Sequence, residues 1–156
     1  MLTVLYRDDR LVAIDKPSGW LVHRSNLDRH ETRILVQALR DQLGRHVHPV
    51  HRLDKGTSGV LLFALDPEAA RVLGRQFENN EVRKFYLAIV RGWPAERGII
   101  DHPLKPERDD YGEGPAEEVQ SALTAYCRLA SADFPVAVDR YPTARYALVA
   151  LEPHTG

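Results

Sequence analysis

Apolar and polar positions along the chain alternate in short blocks, and these blocks predict strands with two helices between them. Val4-Leu5-Tyr6 and Leu11-Val12-Ala13-Ile14 flank Asp8-Asp9-Arg10, the pattern of a strand, a turn and a strand. Lys16-Pro17-Ser18-Gly19 then punctuates a loop. Thr32 is placed to cap a helix over 33–43. Leu35, Leu39 and Leu43 fall on one side of it with Ala38 beside them, and Gly44 stops it. Residues 46–59 read as a loop, and the apolar run 60–65 as a buried strand. Asp66 and Pro67 open a second helix as cap and first helical residue. Ala69, Leu73 and Phe77 mark its apolar side, and Asn79-Asn80 ends it. Residues 82–90 alternate, with Tyr86, Ala88 and Val90 on one face and Phe85, Leu87 and Ile89 on the other. An acidic stretch, 106–118, carries six carboxylates and reads as a loop. Two further strands are predicted at 122–129 and 144–151, the first also readable as a helix. Strands with intervening helices, without regular βαβ repetition, predict an α+β fold. Its sheet is expected to be mixed but mainly antiparallel, with flanking helices.

Composition narrows the class. A chain of 156 residues fits one domain and can bury a core. Its 44% hydrophobic and 28% charged content reads as a soluble globular protein. No apolar run is long enough to cross a bilayer, and the start lacks the basic and apolar regions of a signal peptide. Cys127 stands alone, which excludes an internal disulfide and points to a reducing compartment, most simply the cytoplasm. The net charge of −1 is unevenly spread: residues 1–105 sum to +4 and residues 106–156 to −5. The front part can therefore present a positive face to a phosphate backbone, although a solvated mixed-charge surface has the same composition.

The densest chemistry lies in His51-Arg52-Leu53-Asp54-Lys55-Gly56-Thr57-Ser58-Gly59. Asp54 stands between two cations, which favour its charged form. A sharp turn and an apolar strand follow, an arrangement that displays a group at the end of a sheet. A carboxylate so placed can act as nucleophile or base; a surface salt-bridge cluster gathers the same residues. Thr57 and Ser58 are expected to hold the turn through their hydroxyls. Tyr86 has a phenol that can move protons if held close to a substrate, and otherwise lies at a sheet rim. Lys84, two residues earlier, shares its face and suits a phosphate or carboxylate partner. His46, His48 and His51 raise a metal-dependent hydrolase as a weak reading. No carboxylate or cysteine stands at ligand spacing, so no metal is expected, and His51 is expected to bond loop backbone. Tyr6, Trp20 and Trp93 can stack on bases, though packing is the commoner role.

The segment 51–59 resembles the active-site motif HRLD-x-x-T-S-G of the RluA-type pseudouridine synthases. Asp15-Lys16-Pro17-Ser18-Gly19-Trp20-Leu21-Val22-His23 resembles that family's KPSG-x-x-VH segment, and Lys84-Phe85-Tyr86-Leu87-Ala88 its K-x-Y-L-A strand. The wording of residues 20–29 and 140–156 is most similar to the tRNA pseudouridine-65 synthase group. The resemblance implies a pseudouridine synthase-like catalytic domain that isomerises a specific uridine in tRNA, without cofactor and without a separate RNA-binding domain. It implies Asp54 as nucleophile and Tyr86 as the residue that contacts the base and helps move a proton. Arg52 would enter the RNA stack where the target nucleotide is flipped out, and Lys84, Lys55 and His51 complete the RNA-contacting set. In the family a T-G pair is followed by R-x-H-Q-[IL]-R, whereas this sequence ends at Thr155-Gly156. The implied reading is the amino-terminal part of such a domain, lacking one basic residue of the site. On that reading the isolated chain is inactive and self-associates through open apolar edges near 60–65 or 148–151. The rival reading is a non-catalytic RNA-binding fragment.

Overall fold

A computed structural model describes residues 1–23, 32–104 and 119–155. The acidic stretch 106–118 lies outside the described residues. The chain forms two compact units, Met1–Glu81 and Val82–Gly156. Each unit is built on a four-stranded antiparallel sheet, and both helices belong to the first, so the α+β class holds with two sheets in place of one. Among the described residues no helix is long and apolar enough to cross a membrane.

The first unit contains β1 (Thr3–Arg7), β2 (Leu11–Lys16), α1 (Leu35–Leu43), β3 (His48–Pro49), β4 (Gly59–Ala64) and α2 (Pro67–Glu78), with sheet order β1-β2-β4-β3. In the β2–β4 ladder Val12 faces Phe63, Ile14 faces Leu61 and Lys16 faces Gly59. Alternation therefore puts Val12, Ile14, Lys16, Leu61 and Phe63 on one side of the sheet, and all five are fully buried. Leu35 and Leu39 of α1 complete the core. Gly59 enters β4 at φ +124°, a conformation open to glycine and strained for other residues. The two-residue strand β3 was hidden in the predicted loop. It is an edge strand, where Pro49 removes no needed donor.

Both helix stops match expectation, but one start does not. Gly44 ends α1 in the left-handed region, its N–H bonding to Arg40 O. Thr32 does not cap α1. The cap position is Ile34, which has no capping side chain. The first free amides go instead to distant backbone, Leu35 N to Leu21 O at 2.9 Å and Val36 N to Val22 O at 3.1 Å. Asp66 does cap α2, accepting from Ala69 N at 2.8 Å with Pro67 at the first position. Arg10 adds a forked pair to the same carboxylate, both contacts at 3.1 Å.

Arg10, and next the Ala69 amide, hold the Asp66 carboxyl down at about 2, against an ordinary 3.8. A depressed carboxyl contributes stability above its unfolded value and loses it as pH falls through the folded one. Acid titration should therefore erode this contribution between about pH 4 and pH 2. Asp66→Ala should lower stability, chiefly through loss of the cap because the pair is partly exposed. Thermal melts of both proteins at pH 7 and pH 2.5 check this, with a difference that shrinks in acid.

The second unit contains β5 (Tyr86–Arg91), β6 (Arg97–Asp101), β7 (Leu123–Phe134) and β8 (Ala144–Pro153), in order β5-β8-β7-β6. β6 was not foreseen. Its Gly98 lies opposite Tyr126, whose ring occupies the space a side chain there would need. β7 runs beyond the predicted strand through an irregularity between Arg128 and Ala130. Among the described residues of this unit only Ala144, Ala147 and Val149 are buried apolar groups. Phe85 just before β5 and Leu87 and Ile89 within it stand exposed, as do Ile99 and Ile100 along β6. The expected open edges at 60–65 and 148–151 are corrected by this topology. β4 lies between β2 and β3, β8 lies between β5 and β7, and the edge strands are β1, β3, β5 and β6.

Candidate active site

The loop between β3 and β4 displays Asp54. Leu53 anchors it as a buried residue, while Arg52 and Asp54 on either side point to solvent, their side chains 73% and 84% exposed. Arg52 Nη2 and Asp54 Oδ1 lie 3.8 Å apart, a loose surface pair that leaves the carboxylate accessible. The turn closes with Thr57 N donating to Asp54 O at 3.0 Å.

What fixes the loop is the segment after β2. Lys16 is completely buried, and its ammonium donates to the carbonyls of Thr57 at 2.7 Å, Asp54 at 3.0 Å, Lys55 at 3.3 Å and Pro17 at 3.4 Å. Gly19 N donates to Lys55 O at 2.7 Å, and Ser18 Oγ to Gly56 O at 2.9 Å. Gly19 makes this approach at φ +84°. Four carbonyls, three of them from the loop, thus converge on one cation with three N–H groups. Burial lowers the proton affinity of Lys16, and the Asp54 charge opposes that shift.

Lys16 is the residue the sequence reading missed, and the signal was present. A strand that buries Val12 and Ile14 buries the next residue of the same parity, so the lysine two positions on had to point inward. The predicted role of Thr57 and Ser58 is corrected in turn. Among the described residues neither hydroxyl has a hydrogen-bond partner, and it is the Ser18 hydroxyl that braces the turn. His51 bonds backbone of strand β4 in place of the expected loop backbone, accepting from Leu62 N at 3.0 Å through Nε2. Its ring stacks on Phe77 of α2 at 4.2 Å and 13°. His51 thereby ties the start of the loop to β4 and α2.

Asp54, Arg52, Lys55 and His51 belong to the first unit; Tyr86 and Lys84 belong to the second. Lys55 is exposed at the tip of the loop. Tyr86 opens β5 opposite Leu151. Exposure alternates from Val82 to Val90, which sets Lys84 and Tyr86 on the half-buried side and Arg83, Phe85 and Leu87 on the open side, as the alternation predicts. Arg83 covers the Phe85 ring at 5.0 Å and pairs with Glu152 at 2.8 Å. His46 and His48 stack at 6.1 Å, and among the described residues no three or more His, Cys, Asp or Glu side chains gather as metal ligands. An exposed carboxylate on a loop braced from beneath can attack or take a proton with little motion of its backbone.

A model of the RNA pseudouridylate synthase family matches residues 10–156. The chain is 54% identical to tRNA pseudouridine synthase C of Pasteurella multocida, over 99% of this chain and 65% of that protein. It is 50% identical to tRNA pseudouridine synthase C of Vibrio cholerae, over 100% and 65%, and 52% identical to that of Pectobacterium carotovorum, over 100% and 42%. Among solved structures, Human RNA Pseudouridylate Synthase Domain Containing 4 superposes with a TM-score of 0.68 at 32% identity, covering 99% of this chain and 59% of that one. Human RNA Pseudouridylate Synthase Domain Containing 1 superposes with a TM-score of 0.76 at 25% identity, covering 100% and 60%. The chain thus spans between 42% and 65% of the length of these relatives.

Proposed function

The chain belongs to the RNA pseudouridylate synthase family, and we propose from this that it carries the nucleophile of an enzyme that isomerises a uridine in tRNA to pseudouridine. The observation that carries the proposal is the Asp54 carboxylate, 84% exposed on a loop whose backbone Lys16 clamps. In the reaction the N1–C1′ bond of uridine breaks, the base turns, and C5 bonds to C1′. N1 gains a proton and the C5 hydrogen leaves to solvent. The base itself accepts the electrons, so the scheme needs no cofactor. Asp54 can open it by attack at C1′ or C6, or by drawing a proton from the sugar. Tyr86 contacts the base and shuttles a proton. Residues 1–156 act as the amino-terminal part of one catalytic domain; the 65% share of the Pasteurella protein's length fits that reading. A reducing, cytoplasmic setting suits the lone Cys127. The open apolar side of β5 is the surface through which the isolated chain would self-associate.

RNA is held through phosphates by Lys55, Lys84 and neighbouring cations, while His51 acts from beneath by fixing the loop. Affinity for tRNA should therefore fall steeply with added salt. Arg52 is 73% exposed beside Asp54, and we assign it to the gap left by the flipped nucleotide. Flipping costs a few kcal/mol. Arg52→Ala should slow modification roughly tenfold or more while changing tRNA affinity less than about threefold. Single-turnover rates beside filter-binding affinities separate the two effects. An equal loss in both would make Arg52 a plain phosphate contact.

A further inference from the structure

The ladder between β3 and β4 is short, pairing only His48 with Ala64 and Pro49 with Phe63. Leu62, the next residue back along β4, donates its N–H at 3.0 Å to Nε2 of His51. A side chain thus takes the acceptor's place that a backbone carbonyl fills in a regular ladder, three residues before Asp54. A carbonyl accepts at every pH, whereas an imidazole nitrogen accepts only while it carries no proton. Leu62 N can only donate, so the bond fixes His51 as the neutral ring with its proton on Nδ1. The ring also lies nearly flat on Phe77 of α2, with centroids 4.2 Å apart and planes at 13°. The stack sets the plane of the ring, and the bond sets its direction within that plane.

We propose that His51 is a proton-gated positioning residue: its neutral imidazole holds the Asp54 loop in its reactive arrangement, and protonation lets the loop shift. Acid adds an N–H at Nε2, and two donors then face each other where one bond stood. Turning Nε2 away would take the ring off Phe77, whose face also attracts the charged imidazolium. The backbone at His51 yields instead, and with it the segment that carries Arg52 and Asp54. The Lys16 ammonium still holds the carbonyls of Asp54, Lys55 and Thr57, so acid displaces the carboxylate without opening the turn. A shift of about 1 Å at a reacting group can cost about 100-fold in rate. The consequence for rate rests on the enzymatic reading above; the gate itself does not.

The ionisable groups around the ring respond differently. β4 carries none. On α2 the turn before Phe77 offers Leu73 and Gly74, while Glu68, Arg71, Arg75 and Glu78 lie about 100° or more around the helix from Phe77. In the loop, Arg52, Asp54 and Lys55 are of types that keep their charge between about pH 7.5 and pH 5. Lys16 sheds its proton as pH rises, the opposite sense. His46 and His48, stacked on each other at 6.1 Å, are neighbours of the same residue type and serve as controls.

Pseudouridine formation by the complete enzyme that contains this chain is followed at saturating tRNA from about pH 7.5 to pH 5, the span in which histidine changes charge. The parent should slow by about fivefold or more. His51→Ala should be slow at every pH, by about tenfold or more. His51→Gln offers an amide oxygen that accepts and does not titrate, so it should restore most of that loss and remove the acid decline. His46→Gln and His48→Gln should keep the decline. Hydrogen exchange of this chain, corrected for the intrinsic effect of pH, reads the gate without catalysis. At about pH 5 the Leu62 amide should lose protection while the Thr57 amide, which donates to Asp54 O, keeps it. An acid decline that survives His51→Gln, or Leu62 protection that does not change with pH, would overturn the proposal. The second result is read on the unmutated chain, so a misfolded variant does not blunt the test. Loss of Leu62 protection in a protein that makes no pseudouridine would sink the enzymatic reading and leave the gate standing; pseudouridine formation without an acid decline would do the reverse.

Discussion

Lys16→Met should lower the melting temperature by about 10 °C and cut pseudouridine formation by the complete enzyme by more than about 100-fold, although Lys16 is completely buried. Methionine preserves much of the side-chain volume, so the change removes the ammonium and little packing. Two effects oppose each other. Burial of Lys16 disfavours its charge, as its lowered proton affinity shows, and replacing a buried ion with an apolar group of similar size can stabilise a protein. That gain requires the partners to lose their need as well. Here the carbonyls of Pro17, Asp54, Lys55 and Thr57 stay behind, and three of them belong to the loop. Hydrogen bonds to charged groups contribute about 1.5–3 kcal/mol each, and unsatisfied buried acceptors cost a further amount. The loss wins, by about 3–5 kcal/mol. Calorimetric melts check the stability arm. Hydrogen exchange at the Thr57 amide, which bonds Asp54 O, checks that the loop itself is released. An unchanged melting temperature would mean that the turn holds itself and that Lys16 is a passenger in the core.

Much of this architecture was legible because its determinants are local. The Asp66 cap, the Pro67 start and the Gly44 stop each depend on backbone within one helical turn, and each stands where the pattern put it. The alternation through β5 depends on period alone. Where expectation failed, the cause was a partner distant in sequence. Ile34 starts α1 without a capping side chain because carbonyls from Leu21 and Val22 meet the free amides, and no local signal announces that. β3 and β6 exist as strands only through their partners β4 and β7. The same holds for the turn chemistry. Thr57 and Ser58 have the right groups to brace Asp54, but Lys16 and Ser18, about 40 residues earlier, already occupy the carbonyls. The display of Asp54 on a turn that leads into an apolar strand was legible from its motif. The means by which it is held was readable only by following the parity of Val12 and Ile14 one step further, to a lysine.

Asp54→Asn carries the largest expected effect, a loss of at least about 10³-fold in pseudouridine formation with tRNA affinity nearly unchanged. The side chain is exposed and makes only a loose contact to Arg52, so the amide fits without repacking and stability should shift by less than about 0.5 kcal/mol. Asparagine keeps the shape and removes the anion, and every route open to Asp54 uses the anion. The decisive measurement is tritium release from tRNA labelled at C5 of uracil, because that hydrogen leaves only when C5 bonds to C1′. The complete enzyme that contains this chain and its Asp54→Asn variant are compared at equal tRNA occupancy. Release by the parent with none above background from the variant is the predicted result. Release by the variant within a few fold of the parent would contradict the assignment of Asp54 as the group that starts the reaction.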